Sequence, residues 1–376
     1  MIHPGRFIPL EKIRAAAITV VMAIVVAGAA TTVAGCSDSK DNRGSFTVTD
    51  YLGREVTITS AERIISTSII PTAILCGLGV SSNIVGVSND EGIYSEDPFV
   101  VGLTQDDFPQ AVIDGIKSGK IADLGGMYHM SAETMASVES DIVISETYGS
   151  NQEIRNALDA LGLTYAVIGG TNRLEGVFDG IRLIAKAVRK ESTAERMISE
   201  MKSTIKKISD WCESIVDNEL NGRKYNVALM MTATYAIGSD FLGGNVLEGI
   251  HVNNVFASVG RYAPVSKESI ASADPDVIIY QNLGMGDGVT DSAEYVRSLY
   301  KDPVFEKINA ARNGLIFATS GGARTAAAQA NQGLVRAYAM YAMFVYKDHL
   351  TFEIPDVFDS GSYAEYTAKF WEMINP

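Results

Sequence analysis

The sequence predicts an α/β protein of two related lobes with largely parallel central sheets, joined by one long helix, with a ligand cleft between the lobes. Three observations lead there. Short apolar β-like runs alternate with helical stretches along both halves of the chain, the pattern of parallel sheets with crossover helices. A long amphipathic stretch almost free of breakers separates the two halves. One fifteen-residue segment of the first half recurs in the second at an offset of 135 residues. The chain has 376 residues, 47% of them apolar and 20% charged, which is ordinary globular composition with material for two cores.

Residues 1–35 read as an export signal. Lys12 and Arg14 precede an apolar run from Ala15 to Ala34, and Val33-Ala34-Gly35-Cys36 leads into polar chain. A basic region, an apolar core and small residues before a cut site are the features of such a signal. This one has the form of a lipoprotein signal, in which Cys36 receives lipid and becomes the mature N-terminus. The alternative is an uncleaved anchor, because about 20 apolar residues can span a bilayer. Either way the rest of the chain is expected outside the cytoplasm, next to a membrane. Residues 36–45 then form a polar tether carrying the lipidated Cys36.

The N-terminal lobe is assigned to residues 46–191. It opens on a hairpin signal, Phe46 to Asp50 and Arg54 to Thr59 around Tyr51-Leu52-Gly53. Buried β-like runs follow at Ile64 to Ser68, Ile84 to Val87, Asp141 to Ser145 and Thr164 to Ile168. From Leu174 to about Val216 the period is helical. Within that region Ala194, Met197, Ile198, Met201, Ile205, Ile208, Trp211, Ile215 and Val216 form one apolar stripe. Ser192 or Thr193 can cap its start and Asn221-Gly222 can stop it, so residues 192–221 are assigned to the interlobe helix and connection. At 1.5 Å per residue, Thr193 to Val216 would reach roughly 36 Å, a length suited to a strut between lobes. The C-terminal lobe, residues 222–376, carries β-like runs at Tyr225 to Met231, Val277 to Tyr280 and Gly314 to Ala318, then terminal helices. Cys76 and Cys212 both fall in apolar helical stretches and read as buried thiols rather than a disulfide.

The repeat pairs SAETMASVESDIVIS (Ser131 to Ser145) with SKESIASADPDVIIY (Ser266 to Tyr280). Each copy reads as an N-cap Ser, a first-turn Glu, a short helix, an Asp-containing turn and a buried strand. Related lobes make the space between them the natural place for a ligand.

Composition narrows the function. With 31 basic against 45 acidic residues the net charge is −14, and no basic cluster suits nucleic-acid phosphates. The chain has no G-x-S-x-G elbow, Walker loop, H-E-x-x-H or G-x-G-x-x-G motif, so neither catalytic residues nor a resident cofactor are expected.

Ordered strings along the chain carry a family resemblance. They are VTDYLGREVTI (Val48 to Ile58), ERIIST (Glu62 to Thr67), AILCGLG with IVGVS (Ala73 to Ser88), DLGG and the first repeat copy (Asp123 to Ile144), VSKESIASADPDVII (Val265 to Ile279) and DPVFEKINAARNGLIFA (Asp302 to Ala318). In order and spacing the sequence resembles the substrate-binding lipoproteins of ABC importers for iron complexes, haem and cobalamin. The resemblance implies two α/β lobes on one long helix and a cleft for ligand. It implies an extracytoplasmic receptor, lipid-anchored and monomeric, whose partners are an ABC permease with its ATPase and a ferric complex, haem or corrinoid. A ferric siderophore-type complex is the first expectation, and a membrane-anchored sensor without transport is the alternative class. The family docks onto its permease through one Glu on each lobe, and Glu133 and Glu268 match that motif.

Ligands of parallel α/β sheets bind beyond the carboxyl ends of the strands. That rule selects strand-end loops carrying Ser68, Tyr128, His129, Tyr148, Tyr235, Tyr262, Asn282 and Arg324. The tyrosines offer flat faces with a polar tip for stacking on a chelate or macrocycle. Arg324, after Ser320-Gly321-Gly322-Ala323, offers bidentate contact to carboxylate or catecholate oxygens. His129, between Met127 and Met130, could serve as an axial ligand to haem iron. The ligand is expected as a metal chelate, with no bare-metal site in the protein.

Overall fold

The computed structural model describes residues 44–89, 110–126, 130–147, 152–283, 287–320 and 330–375. Cys36 and the whole of the leader segment lie outside them. An antiparallel hairpin comes first, β1 (Phe46–Thr49) and β2 (Glu55–Ile58), closed by a turn in which Asp50 accepts the Leu52 and Arg54 N–H groups. The first lobe continues as β3 (Ile64–Ser66), α1 (Ile69–Gly77), β4 (Ile84–Val87), α2 (Gln110–Lys117), β5 (Ala122–Asp123), α3 (Ala132–Ser137), β6 (Ile142–Glu146), α4 (Gln152–Ala160), β7 (Tyr165–Ile168) and α5 (Leu174–Ala187). Its sheet is parallel throughout, in the order β5-β4-β3-β6-β7.

The long helix α6 (Glu191–Asn218) follows, 28 residues or roughly 42 Å. The second lobe contains β8 (Asn226–Met230), β9 (Tyr235–Ile237), α7 (Leu242–Gly249), β10 (Asn253–Asn254), β11 (Tyr262–Pro264), α8 (Lys267–Ala273), β12 (Val277–Tyr280), α9 (Ser292–Leu299), α10 (Asn309–Arg312), β13 (Ile316–Thr319), α11 (Leu334–Val345), β14 (Val357–Phe358) and α12 (Ser360–Ile374). Its sheet runs β11-β9-β8-β12-β13-β14, with β10 paired to β8. The core is parallel, but β9 and β11 form an antiparallel edge because a tight turn after Met231 folds the chain straight back.

The helical stretch from Leu174 divides close to the expected start of the interlobe helix. It is two helices, broken at Val188–Lys190, where Arg189 takes a left-handed conformation (φ 55°) and Lys190 N–H bonds back to the Ala185 carbonyl. A C-terminal cap of this form normally uses Gly, so the sequence carried no visible breaker. The long helix also starts earlier than expected. Its N-cap is Lys190, without a side-chain bond, and not Ser192 or Thr193. The stop is as read: Asn221 and Gly222 are both left-handed, at φ 52° and 81°.

The stripe on α6 is buried at Ala194, Ile198, Met201, Ile205, Ile208, Cys212, Ile215 and Val216. It packs on α5 of the first lobe and on α11 and α12 of the second. A single apolar cluster therefore covers one face of both sheets, from Ile64, Ile142 and Ile144 through α6 to Val277, Ile279 and Phe344. Separate clusters fill the opposite faces, under α3 and α4 in the first lobe and under α8 and α9 in the second. Cys76 and Cys212 are both buried in the shared cluster and form no disulfide. Among the described residues no helix is long and apolar enough to cross a membrane.

The repeat is structural. Ser131 caps α3 by accepting the Thr134 N–H at 3.1 Å, and Ser266 caps α8 by accepting the Ser269 N–H at 3.1 Å. Asp141 Oδ2 accepts the Glu62 and Arg63 N–H groups, both at 2.9 Å, and the Ser60 hydroxyl, fixing the start of β3. Asp276 Oδ2 accepts the Asn226 N–H at 2.9 Å at the start of β8, with Arg223 Nη1 at 3.3 Å. Hydrogen bonds to a charged group contribute about 1.5–3 kcal/mol. Asp141→Ala and Asp276→Ala should each lower the unfolding free energy by about 2–3 kcal/mol in urea titrations. A loss under about 0.5 kcal/mol at both sites would show that these carboxylates do not hold the strands.

Candidate functional site

Among the described residues, three polar contacts join the chain after β7 to the chain after β9. Asn172 Nδ2 donates to the Asp240 carbonyl at 3.0 Å and Arg173 Nη2 to Asp240 Oδ1 at 3.3 Å, while Asn245 Oδ1 accepts the Leu174 N–H at 3.4 Å. A fourth joins α1 to the segment before α11, where Gln332 Nε2 donates to the Ala73 carbonyl at 2.7 Å. The loops that meet are built on close glycines: Gly176 sits against the Gly170 carbonyl and Gly244 against the Gly238 carbonyl, leaving no room for a Cβ at either helix start.

In the second lobe the site is aromatic. Tyr235 opens β9 and is 40% exposed; Tyr262 opens β11 and is 45% exposed. Both were expected in loops, yet both lie in the antiparallel edge strands, which fix their spacing. Their ring centroids are 6.5 Å apart at 65°, and Phe241 meets Tyr262 edge-on at 6.3 Å. The Arg261 guanidinium lies over the Phe241 and Tyr262 rings, at 5.6 and 5.8 Å. Two exposed phenol faces beside a guanidinium form a platform for a flat, oxygen-rich ligand. Asn282 is buried, its N–H committed to the Met231 carbonyl at 2.8 Å.

In the first lobe Ser68 is 3% exposed and caps α1, its hydroxyl accepting the Ile70 N–H at 3.3 Å. Beside it stands Glu146, at the end of β6. The structure therefore brings together Tyr235 with Tyr262, and Ser68 with Glu146. Tyr128, His129, Tyr148 and Arg324 lie outside the described residues. Glu133 and Glu268 are exposed in the first turns of α3 and α8. The Glu268 carboxyl is held below its ordinary value by a backbone N–H and by the Ser266 hydroxyl.

Sequence reasoning passed over Glu146; the strand-end rule selects the loop Gln281-Asn282, with Asn282 as its ligand-binding residue. Continuing the repeat by one residue past Ser145 and Tyr280 pairs Glu146 with Gln281. Glu146 is 2% exposed. Burial pushes its carboxyl up to about 7 from an ordinary 4.5, offset only in part by the bond with Ser68, and Oε2 has no hydrogen-bond partner. A folded-state value raised above the unfolded one costs nothing below about pH 4.5, where both states hold the proton. The cost grows as pH rises to about 7 and then stays constant. Glu146→Gln should therefore match wild type near pH 4.5 and be more stable at pH 8, by on the order of 3 kcal/mol at 1.36 kcal/mol per pH unit. Equal stabilities at both pH values would mean that Glu146 is ionised and solvated in the folded protein.

Comparison with known proteins places this geometry. A relative in Bacillus subtilis (strain 168), the uncharacterized ABC transporter substrate-binding lipoprotein YvrC, is 25% identical over 265 residues, covering 67% of this chain and 77% of that one. A possible iron-binding (periplasmic solute-binding) protein of Staphylococcus epidermidis superposes with a TM-score of 0.60 at 23% identity, over 76% of this chain and 98% of that one. The periplasmic heme-binding protein RhuT of Roseiflexus sp. RS-1 superposes with a TM-score of 0.59 at 19% identity, over 77% and 99%. These two likenesses establish the shared two-lobed α/β fold. The sequence pattern of the periplasmic binding protein family matches residues 64–321, most of both lobes, and the chain belongs to that family.

Proposed function

We propose that this chain is a lipid-anchored receptor outside the cytoplasm that captures a ferric siderophore-type complex between its lobes and delivers it to an ABC permease and its ATPase. The observation that carries the ligand class is the exposed Tyr235–Tyr262 pair beside Arg261 at the edge of the second sheet. Phenol faces stack on aromatic chelators, and a guanidinium pairs with carboxylate or catecholate oxygens. The importer role is supported by family membership and by the substrate-binding lipoprotein of Bacillus subtilis, and the iron cargo by the name of the Staphylococcus epidermidis protein. The anchor rests on the apolar leader ending at Cys36. In this reading the chain is a monomer with no resident cofactor, and Tyr128, Tyr148 and Arg324 complete the ligand's surroundings. No bond of the ligand is made or broken.

Haem is the second reading, favoured by the heme-binding protein RhuT among the similar folds and by the use of Tyr as an axial ligand to haem iron; His129 would then be a candidate ligand too. A corrinoid would use the same aromatic platform. A soluble form starting after Cys36 should be screened by thermal shift against ferric catecholate and hydroxamate chelates, haemin and cyanocobalamin. A ligand at about 100 times its Kd adds about 2.7 kcal/mol, a shift of several degrees. The ferric chelate is expected to give that shift, and Tyr235→Ala with Tyr262→Ala to weaken it at least tenfold. A shift with haemin or the corrinoid alone would keep the receptor and replace the cargo; no shift with any compound would sink the iron-complex reading.

Glu133 and Glu268, exposed at equivalent helix starts, are proposed to dock on basic permease residues, two separated charges fixing orientation as well as attraction. Charge reversal at both should abolish uptake in cells and leave ligand affinity unchanged. Undiminished uptake would remove the docking role, and ligand binding with no uptake in the unaltered protein would favour a sensor.

A further inference from the structure

We infer that Glu146 Oε2 and Gln281 Nε2 are a matched pair of ligand anchors, one on each lobe, for a ligand that presents a hydrogen-bond donor to the first lobe and an acceptor to the second. The inference deepens the receptor reading above and rests on it. The two residues stand at equivalent places, 135 residues apart, immediately after the repeated strands β6 and β12. Alternation along those strands puts Ile142, Ile144 and Glu146 on one face, and Val277, Ile279 and Gln281 on one face. In both lobes that face is the one covered by the shared apolar cluster.

Each side chain is half satisfied. Glu146 bonds to Ser68 at the start of α1, and its Oε2 has no partner. Gln281 Oε1 accepts the Tyr341 hydroxyl at 2.7 Å, and its Nε2 has no partner. Glu146 is 2% exposed and Gln281 fully buried. Buried polar atoms are usually paired, so an unpaired one calls for an explanation, and a ligand is one. Other buried polar atoms of the described residues, Ser88 Oγ and Thr367 Oγ1 among them, also lack a partner, so one such atom could be accidental. Two at the same position of a repeat, at the strand ends where this architecture binds ligands, point to one role. The chemistry is complementary: a carboxylate oxygen accepts from a hydroxyl, amide or ammonium group, and an amide nitrogen donates to a carbonyl or carboxylate oxygen. A ligand meeting both is polar at both ends, which suits an amide- or hydroxyl-bearing chelate better than a bare ion. Since both atoms are shielded in this state, engaging them accompanies a local shift of the strand ends.

Two measurements test the pair. Whichever compound of the screen binds the wild type is titrated against Glu146→Gln at pH 8 and against Gln281→Met, with Tyr341→Phe as control because it breaks the same bond without touching Nε2. Affinity should fall at least tenfold for Glu146→Gln, and further for Gln281→Met than for Tyr341→Phe; unchanged affinity in both would overturn the inference. The second measurement needs no ligand. In a Glu146→Cys, Gln281→Cys double variant with native-like near-ultraviolet circular dichroism, a set of bis-methanethiosulfonates of increasing span should bridge the two thiols within one molecule. Failure at every span, with both thiols shown to react with a monofunctional methanethiosulfonate, would show that the residues do not face a common space. If no compound binds the wild type, the receptor reading for these ligands fails and the cross-link alone decides the pair. If the double variant does not fold, the affinities decide it.

Discussion

One constraint organises the molecule: the two lobes do not have separate cores on their facing sides. The stripe of α6 fills from one end with α5 and the first sheet, and from the other with α11, α12 and the second sheet. Ile208 and Cys212, near the middle of that helix, are fully buried. Swinging one sheet widely away from the other would expose part of this layer, at about 25 cal/mol for each Å² of apolar surface. The cluster itself therefore holds the lobes in a narrow range of orientations. The direct polar contacts between lobes contribute much less. Arg173 and Asp240 are 66% and 55% exposed, and such surface pairs are worth at most about 1 kcal/mol.

Against that stiff layer the repeat sets the chemistry. Each copy uses two of its repeated polar residues for building: Ser131 and Ser266 start a helix, and Asp141 and Asp276 fasten the neighbouring strand. At the position after the strand, Glu146 and Gln281 each keep a buried atom without a hydrogen-bond partner among the described residues. The lobes then diverge at their edges. The first is parallel throughout, while the second ends in the antiparallel β9 and β11, which carry the exposed tyrosines. Pseudo-symmetry thus supplies the frame and the anchors, and the asymmetric edge supplies the aromatic platform.

The architecture was legible because it depends on periodicity. Alternating strands and helices, the stripe on α6 and the capped repeat are all low-order patterns, and Ile84–Val87 and Val277–Tyr280 were delimited to the residue. What the sequence hid was local. The break at Arg189 uses a left-handed arginine where a glycine would have announced it. The strands β5, β10 and β14 are two residues each and leave no period to detect. Tyr235 and Tyr262 were found as candidate residues by their place after a strand, but their edge-strand setting follows from pairing between distant segments, which no local window contains. Glu146 was missed for a different reason. A lone acidic residue after an apolar run looks like the first residue of a solvated turn, and only tertiary burial makes it unusual.

These features together locate where selectivity can reside. A continuous apolar layer permits little hinge motion, so the ligand is not gripped by a large closure that could adapt to many shapes. In the proposed receptor, recognition would fall to side chains whose supports are fixed: Tyr262 by its register with Ile237, Gln281 by Tyr341, Glu146 by Ser68 and the start of α1. Preorganised groups lose little entropy on binding, but they also discriminate sharply, because a ligand that cannot satisfy a buried carboxyl leaves it unpaired in a medium where that is costly. The same half-satisfied atoms that weaken the empty protein are therefore what would make it reject the wrong cargo.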